Sequence, residues 1–255
     1  MRYYFIFCKT DLVLQKLGDG TYTIPKSEDS PIMLHDWQHV HNITPMDDGT
    51  EVKTVMLDDP AQLNERVASF KDAVFEFCPL RKSYYKLSRD LYLKAGKCQE
   101  ILYWDHISKR CPNCGKEVWP ELATAIIVLI HKGNEVLLVH ARNFKGDFYG
   151  LVAGFVETGE TLEEAVHREV MEETGLTITN LKYFGSQPWP YPCGLMVGYN
   201  ADYVSGDIHL QRSELSKGDW FTRDNLPTIP EKLSIARKLL DNWLDETATN
   251  KEEEK

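Results

Sequence analysis

At 255 residues the chain is long enough for one large domain or two modest ones with sizeable cores. Its composition, 42% hydrophobic and 27% charged, is ordinary for a soluble protein. A net charge of −10 excludes a general footprint for binding polyanions, and so argues against a dedicated nucleic-acid module, while leaving room for a local basic pocket. No apolar run is long enough to span a bilayer, so no membrane role is expected. Residues 1–8 lack the apolar length and small-residue cleavage site of a signal peptide. Six cysteines (Cys8, Cys78, Cys98, Cys111, Cys114, Cys193) do not make a dense disulfide framework, and the expected setting is a reducing cytoplasm.

Residues 2–24 alternate short β-rich runs (Tyr3–Phe7, Leu12–Gln15, Tyr22–Ile24) with turn residues, a pattern that predicts a meander or hairpin. Residues 26–50, rich in Pro, Asp, Ser and Gly, read as loops. Val52–Leu57 reads as a strand, Asp59-Pro60 opens a helical stretch through Ala68, and Val74–Cys78 is a further strand. From Leu80-Arg81 the apolar spacing turns helical, with a break expected near Gly96 and an end near His106. The expected organisation is a β-rich N-terminal domain over 1–95 and a linker over 96–120.

In the second half, Thr124–Ile130 is a continuous apolar run of buried-strand type, and Glu135–His140 follows after a turn at Asn134. Arg142–Gly150 is a glycine-bearing loop. Strands are expected near Leu181–Phe184, Leu195–Val204 and Asp219–Phe221, before an amphipathic helix over Lys232–Leu244. Many strands with two substantial helices predict an α+β layered domain over 121–246, followed by a disordered tail over 247–255.

Cys111-Pro-Asn-Cys114 has the spacing of a zinc knuckle, which is half of a four-ligand site. No second pair follows, so the sequence reads against bound zinc. Completion by distant residues or by another subunit remains the alternative.

The most informative stretch is Gly154 to Leu176. Thr161 and Glu164 form a T-x-x-E capping box that starts a helix near Leu162, and Gly175 supplies a stop. Glu169, Glu172 and Glu173 stand at i, i+3 and i+4 and project from one face. Three carboxylates there repel unless a cation neutralises them, and hard oxygen ligands favour Mg²⁺ or Mn²⁺ over zinc. Just beyond lies Ser186-Gln187-Pro188-Trp189-Pro190-Tyr191-Pro192, whose prolines stiffen a loop presenting aromatic faces suited to stacking on a base.

Every specified position of Gly154–Leu176 resembles the Nudix box, G-x5-E-x7-R-E-U-x-E-E-x-G-U, with U apolar. The proline-aromatic loop resembles the S-Q-P-W-P-F-P signature of the NADH pyrophosphatase subfamily, with Tyr191 for Phe. Trp119-Pro120 is similar to that subfamily's Tyr-Pro segment, and Ser234-Ile235-Ala236-Arg237 to its C-terminal helix motif. This resemblance implies a Nudix α/β/α sandwich with a mixed sheet, preceded by a smaller β-rich domain and a truncated zinc-ribbon-like linker at Cys111 and Cys114. It also implies hydrolysis of the pyrophosphate of NAD(H) to AMP and nicotinamide mononucleotide, and removal of NAD caps from RNA 5′ ends, in a homodimer.

By motif position the resemblance makes Glu169, Glu173, Glu214 and the Ala153 carbonyl metal ligands, and Glu172 the general base. Arg168 then holds the acidic cluster, with Glu160 joining or supporting it. For substrate, the resemblance points to Phe155 and Trp119 (the latter from a second subunit), and to Gln187, Pro188, Trp189, Pro190, Tyr191, Pro192, Cys193 and Gly194. The Ala236 backbone and Arg81 complete the set. The alternatives are a Nudix hydrolase for ADP-ribose or dinucleoside polyphosphates, and a noncatalytic nucleotide-sensing Nudix module.

Overall fold

The computed structural model describes residues 1–107, 110–111, 113–118, 121–144 and 146–253. The chain divides into two compact units, Met1–Glu121 with Pro190–Cys193, and Leu122–Trp189 with Gly194–Lys255.

The first unit is built on β1 (Arg2–Cys8), β2 (Asp11–Lys16), β3 (Tyr22–Thr23), β4 (Lys26–Ser27), β5 (His41–Ile43), β6 (Val52–Met56) and β7 (Val74–Pro79). They form a seven-stranded mixed sheet ordered β3-β2-β1-β6-β5, with β4 also on β1 and β7 on β2. Only β1 and β6 run parallel. Ile6, Val13, Val55, Phe70 and Phe75 pack into one buried cluster. The short helix α1 (Leu80–Ser83) leads to α2 (Arg89–Ile107), whose Ala95, Cys98 and Leu102 are buried. Burial pushes the Cys98 thiol up to about 12 against the lowering by Thr54, Lys94 and Lys97, so it is inert packing.

Two expectations for this unit are corrected. The helix expected from Asp59 to Ala68 is two 3₁₀ turns, Pro60–Asn64 and Ala68–Phe70. Between them the backbone turns outward for partners: Glu65 O accepts from Met33 N at 2.7 Å, and Val67 N donates to Pro31 O at 3.2 Å. Helix α2 does not break at Gly96. A Cβ there would sit 3.0 Å from Pro190 Cγ, so the glycine serves a close approach. The boundary expected at residue 95 therefore falls inside a continuous helix, and the division lies at 121.

The second unit contains β8 (Ala123–Lys132), β9 (Glu135–Ala141), β10 (Val152–Phe155), α3 (Leu162–Thr174), β11 (Thr177–Trp189), β12 (Gly194–Ser205), β13 (Leu215–Thr222) and α4 (Ile235–Glu253). Its mixed sheet is ordered β11-β12-β8-β9-β13, with β10 on β8 and with β12 and β8 parallel. Successive side chains of a strand point to opposite faces, and β8 uses both. Ile126, Val128 and Ile130 pack with Ala165, Val166 and Val170 of α3. Ile127 and Leu129 pack with Ile235, Leu239, Leu240 and Trp243 of α4. A strand buried on both faces reads as an unbroken apolar run, which is why Thr124–Ile130 was legible. The expected α/β/α sandwich is present. Helix α4 starts at Ile235, not Lys232, and continues to Glu253 where a disordered tail was expected from residue 247.

Candidate active site

The capping box at the start of α3 is formed in both directions. Glu164 N donates to Thr161 Oγ1 (3.2 Å), and Thr161 N donates to Glu164 Oε2 (2.7 Å). Gly175 ends the helix at φ +71°, its N–H donating to Met171 O at 2.9 Å. Between these stops α3 presents its acidic face toward β10.

Arg168 organises that face. Its Nη1 donates to Glu169 Oε1 at 2.8 Å and to Glu172 Oε2 at 3.2 Å. Its Nη2 donates to Glu160 Oε2 at 3.0 Å and to the Phe155 carbonyl at 2.9 Å, while Nε bonds Glu160 Oε1. Arg168 thus ties the turn after β10 to the helix. Its guanidinium, with the Glu157 N–H, holds the Glu160 carboxyl below the usual carboxylate range. Glu160 is committed to this support.

Glu169 fits against β10 because residue 154 has no side chain. A Cβ on Gly154 would overlap the Glu169 carboxylate, far inside the 3.0 Å that real Cβ atoms keep. Burial raises the Glu169 carboxyl, and Glu172 and Glu214 raise it further against the lowering by Arg168. Glu173 is only 4% exposed. Burial first, then Glu169 and Glu214, push its carboxyl up to about 8, and its Oε2 has no hydrogen-bond partner among the described residues.

A pocket of about 320 Å³ opens here, lined in part by Ala153, Glu173, Glu214, Arg142, Asn143 and Phe144. The sequence reading assigned nothing to the last three, which sit in a loop without a motif. That loop is held by Arg142 N donating to Glu214 O at 2.8 Å, and by His140, whose ring reaches Ser216 Oγ and Gly146 O at 2.8 and 2.9 Å. An orphaned buried carboxylate oxygen, neighbouring acids and a main-chain carbonyl suit a hard divalent cation. Among the described residues, these acids do not close to within 4.8 Å as a trio.

Phe155 is 65% exposed, so plain core packing does not account for it. Gln187, Pro188, Trp189 and Gly194 are not in a loop: β11 runs through Trp189, and the pairs Gln187–Met196, Pro188–Leu195 and Trp189–Gly194 continue the ladder. The Gln187 amide is spent inside the unit, donating to Leu233 O at 3.0 Å and accepting from Lys238 Nζ at 3.4 Å. A Cβ at Gly194 would lie 2.9 Å from Trp189 O, so that glycine serves the pairing. Ala236 is buried in the first turn of α4.

Pro190, Tyr191, Pro192, Cys193 and Arg81 belong to the first unit. There Tyr191 and Tyr92 share a hydroxyl hydrogen bond of 2.8 Å, burial raises both phenols, and Arg81 is near enough to oppose that rise. Trp119 lies outside the described residues. Cys111 and Cys114 sit on a tight turn in which Gly115 N donates to Cys111 O at 2.9 Å. The Cys114 and Asn113 N–H groups lower the Cys111 thiol, as in a knuckle, yet no third ligand joins the pair among the described residues.

Residues 120–243 match the NUDIX domain family, and residues 2–104 match the NADH pyrophosphatase-like rudimentary NUDIX domain. This chain carries a NUDIX domain over residues 120–243. Over 145 residues, 55% of this chain and 55% of the relative, the Nudix chain is 48% identical to the NAD-capped RNA hydrolase NudC of Haemophilus influenzae strain PittGG. Over 135 residues, 53% of this chain and 49% of the relative, it is 47% identical to a protein of the same name from Pseudomonas aeruginosa strain LESB58. The chain thus spans about half the length of the curated relatives it matches. A solved NUDIX hydrolase from Nitrosomonas europaea aligns with TM-score 0.48 and 20% identity, covering 54% of this Nudix chain and 78% of that one. The match over residues 2–104 makes the first unit, expected only as a β-rich domain, a rudimentary NUDIX unit.

Proposed function

We propose that the chain hydrolyses the pyrophosphate of NAD(H), giving AMP and nicotinamide mononucleotide, and that it also removes NAD caps from RNA. The observation that carries this reading is the carboxylate centre, with Glu169 seated in the gap left by Gly154 and Glu173 buried without a partner for Oε2. Such a centre is costly to maintain unless charge is delivered to it. Glu169, Glu173, Glu214 and the Ala153 carbonyl would hold Mg²⁺ or Mn²⁺, which would supply charge against the phosphates and acidify an attacking water. Glu172, 53% exposed and steadied by Arg168, accepts the proton of that water. Arg168 and Glu160 position the carboxylates and do not touch substrate. Exposed Phe155 offers a face for a base, with Trp119 of a second subunit opposite it. The proline-aromatic hairpin tip and Arg81 serve the rest of the dinucleotide.

The relatives named NAD-capped RNA hydrolase support the capped RNA, and the NADH pyrophosphatase-like match supports the free dinucleotide. The reading includes a homodimer and a cytoplasmic setting, in keeping with six free cysteines. No described helix is long and apolar enough to cross a membrane.

The test is a substrate panel of NADH, NAD⁺, NAD-capped RNA, ADP-ribose and a dinucleoside polyphosphate with Mg²⁺ or Mn²⁺. AMP and nicotinamide mononucleotide released from NADH are expected. Turnover of ADP-ribose without turnover of NADH overturns the substrate assignment, and binding without any turnover points to a sensing module.

A further inference from the structure

Apart from the carboxylate centre, the first unit gathers three metal-ligating side chains that no sequence motif marks. His39 and His41 flank the start of β5, and Asp105 lies near the end of α2. His41 Nε2 stands 3.0 Å from Asp105 Oδ2, and His39 Nδ1 stands 3.8 Å from the same oxygen. The three ligand atoms lie within 4.8 Å of one another. Ligands on one zinc at about 2.0–2.2 Å are separated by roughly 3.4 Å, so small side-chain rotations close this set on one ion.

The scaffold is firm. Lys94, Lys97 and Asp105 share a face of α2, and Lys94 Nζ donates to the carbonyls of Thr44 and Pro45 at 3.0 and 2.9 Å. Lys97 Nζ adds Thr44 Oγ1 at 3.0 Å. The β5 segment is therefore fixed along the helix before any ion arrives. A structural ion pair needs one imidazole, yet two rings abut this carboxylate with centroids 4.1 Å apart. Two protonated rings at that distance repel, whereas a shared cation uses both. His41 and Asp105 are largely covered while His39 is exposed, which leaves an entry path and room for a water.

We propose that His39, His41 and Asp105 bind one divalent transition metal of the zinc class. Two imidazoles with one carboxylate select such ions over Mg²⁺, and three protein ligands leave a position for water. Imidazoles ligate in their neutral form, so binding strengthens as pH rises. The bound ion staples β5 to α2.

The test is Co²⁺ titration of the chelator-stripped full chain in excess Mg²⁺, which keeps the carboxylate centre filled. Stoichiometry is read by calorimetry and ligand type by visible absorption. One Co²⁺ per chain with a nitrogen and oxygen spectrum is expected. His39→Ala, at an exposed position that leaves the fold intact, should weaken binding by more than about tenfold, since even outer-sphere changes cost about 10–100-fold. Cys111→Ser with Cys114→Ser should leave binding unchanged. Equal Co²⁺ affinity in His39→Ala and His41→Ala overturns the proposal, as does a thiolate charge-transfer band lost with the cysteines. Absence of binding in the wild type overturns it too. If Asp105→Asn fails to fold by circular dichroism, His39→Ala decides.

Discussion

Gly154→Ala is the sharpest perturbation of the carboxylate centre, because it adds one methyl group without touching any ionisable residue. The new Cβ would overlap Cδ and both oxygens of Glu169. The backbone of β10 is pinned by pairing, with Gly154 opposite Ile126 of β8. Glu169 must therefore rotate away and break its 2.8 Å bond from Arg168 Nη1. Its carboxylate is the far end of a flexible side chain, so the stability cost should fall at or below the low end of overpacking, about 1 kcal/mol. The functional cost is larger. Displacing one preorganised group from the site should lower kcat by about 10²–10³, or roughly 2.7–4 kcal/mol of transition-state stabilisation. Gly185→Ala is the control, since a Cβ there meets nothing within 4 Å. The assay pairs NADH hydrolysis over a Mg²⁺ titration with thermal unfolding. Wild-type kcat and Mg²⁺ dependence in Gly154→Ala would refute the seating of Glu169 as the reason for this glycine.

Three further outcomes are expected. Glu172→Gln should keep the fold, as an exposed isosteric change, and lower kcat at saturating NADH by about 10²–10⁴; an unchanged rate removes Glu172 as the base. Glu173, raised from 4.5 to about 8, binds more protons folded than unfolded, so metal-free protein should lose stability as pH climbs through that window. The shift bounds the loss at about 5 kcal/mol; urea unfolding in chelator from pH 5 to 8 measures it, and an equally steep loss in Glu173→Gln contradicts the assignment. Thr161→Ala removes one half of the capping box and should cost about 1 kcal/mol in urea unfolding, with kcat nearly unchanged.

What could be read from sequence depended on how locally each feature is determined. Helix α3 was legible because its cap, its acidic face and its glycine stop all lie within one short stretch. Strand β11 was not, because Pro188 and Pro190 mark a loop in most contexts. The reason it extends is positional: β11 is the end strand of its sheet, where a residue without an N–H leaves no neighbour unpaired on the outer side. The same logic explains Gly96, read as a helix break and found as clearance for Pro190. A glycine's meaning is set by what approaches it, and that partner is distant in sequence.

The two kinds of site differ for the same reason. Glu169 and Glu173 are one helical turn apart, so their juxtaposition follows from the helix itself and holds whatever the rest of the chain does. Gln187 shows the opposite case: its amide suits a ligand equally well, but Leu233 and Lys238 claim it through the packing of remote segments. His41 and Asp105 carry this furthest, being 64 residues apart and brought together by the docking of β5 along α2. Residue type decides what chemistry a position can do. Only when the neighbours are covalently close does sequence also decide whether it does it. The acidic box was therefore readable from sequence, whereas the seating of Gln187 and the histidine-aspartate cluster required the fold.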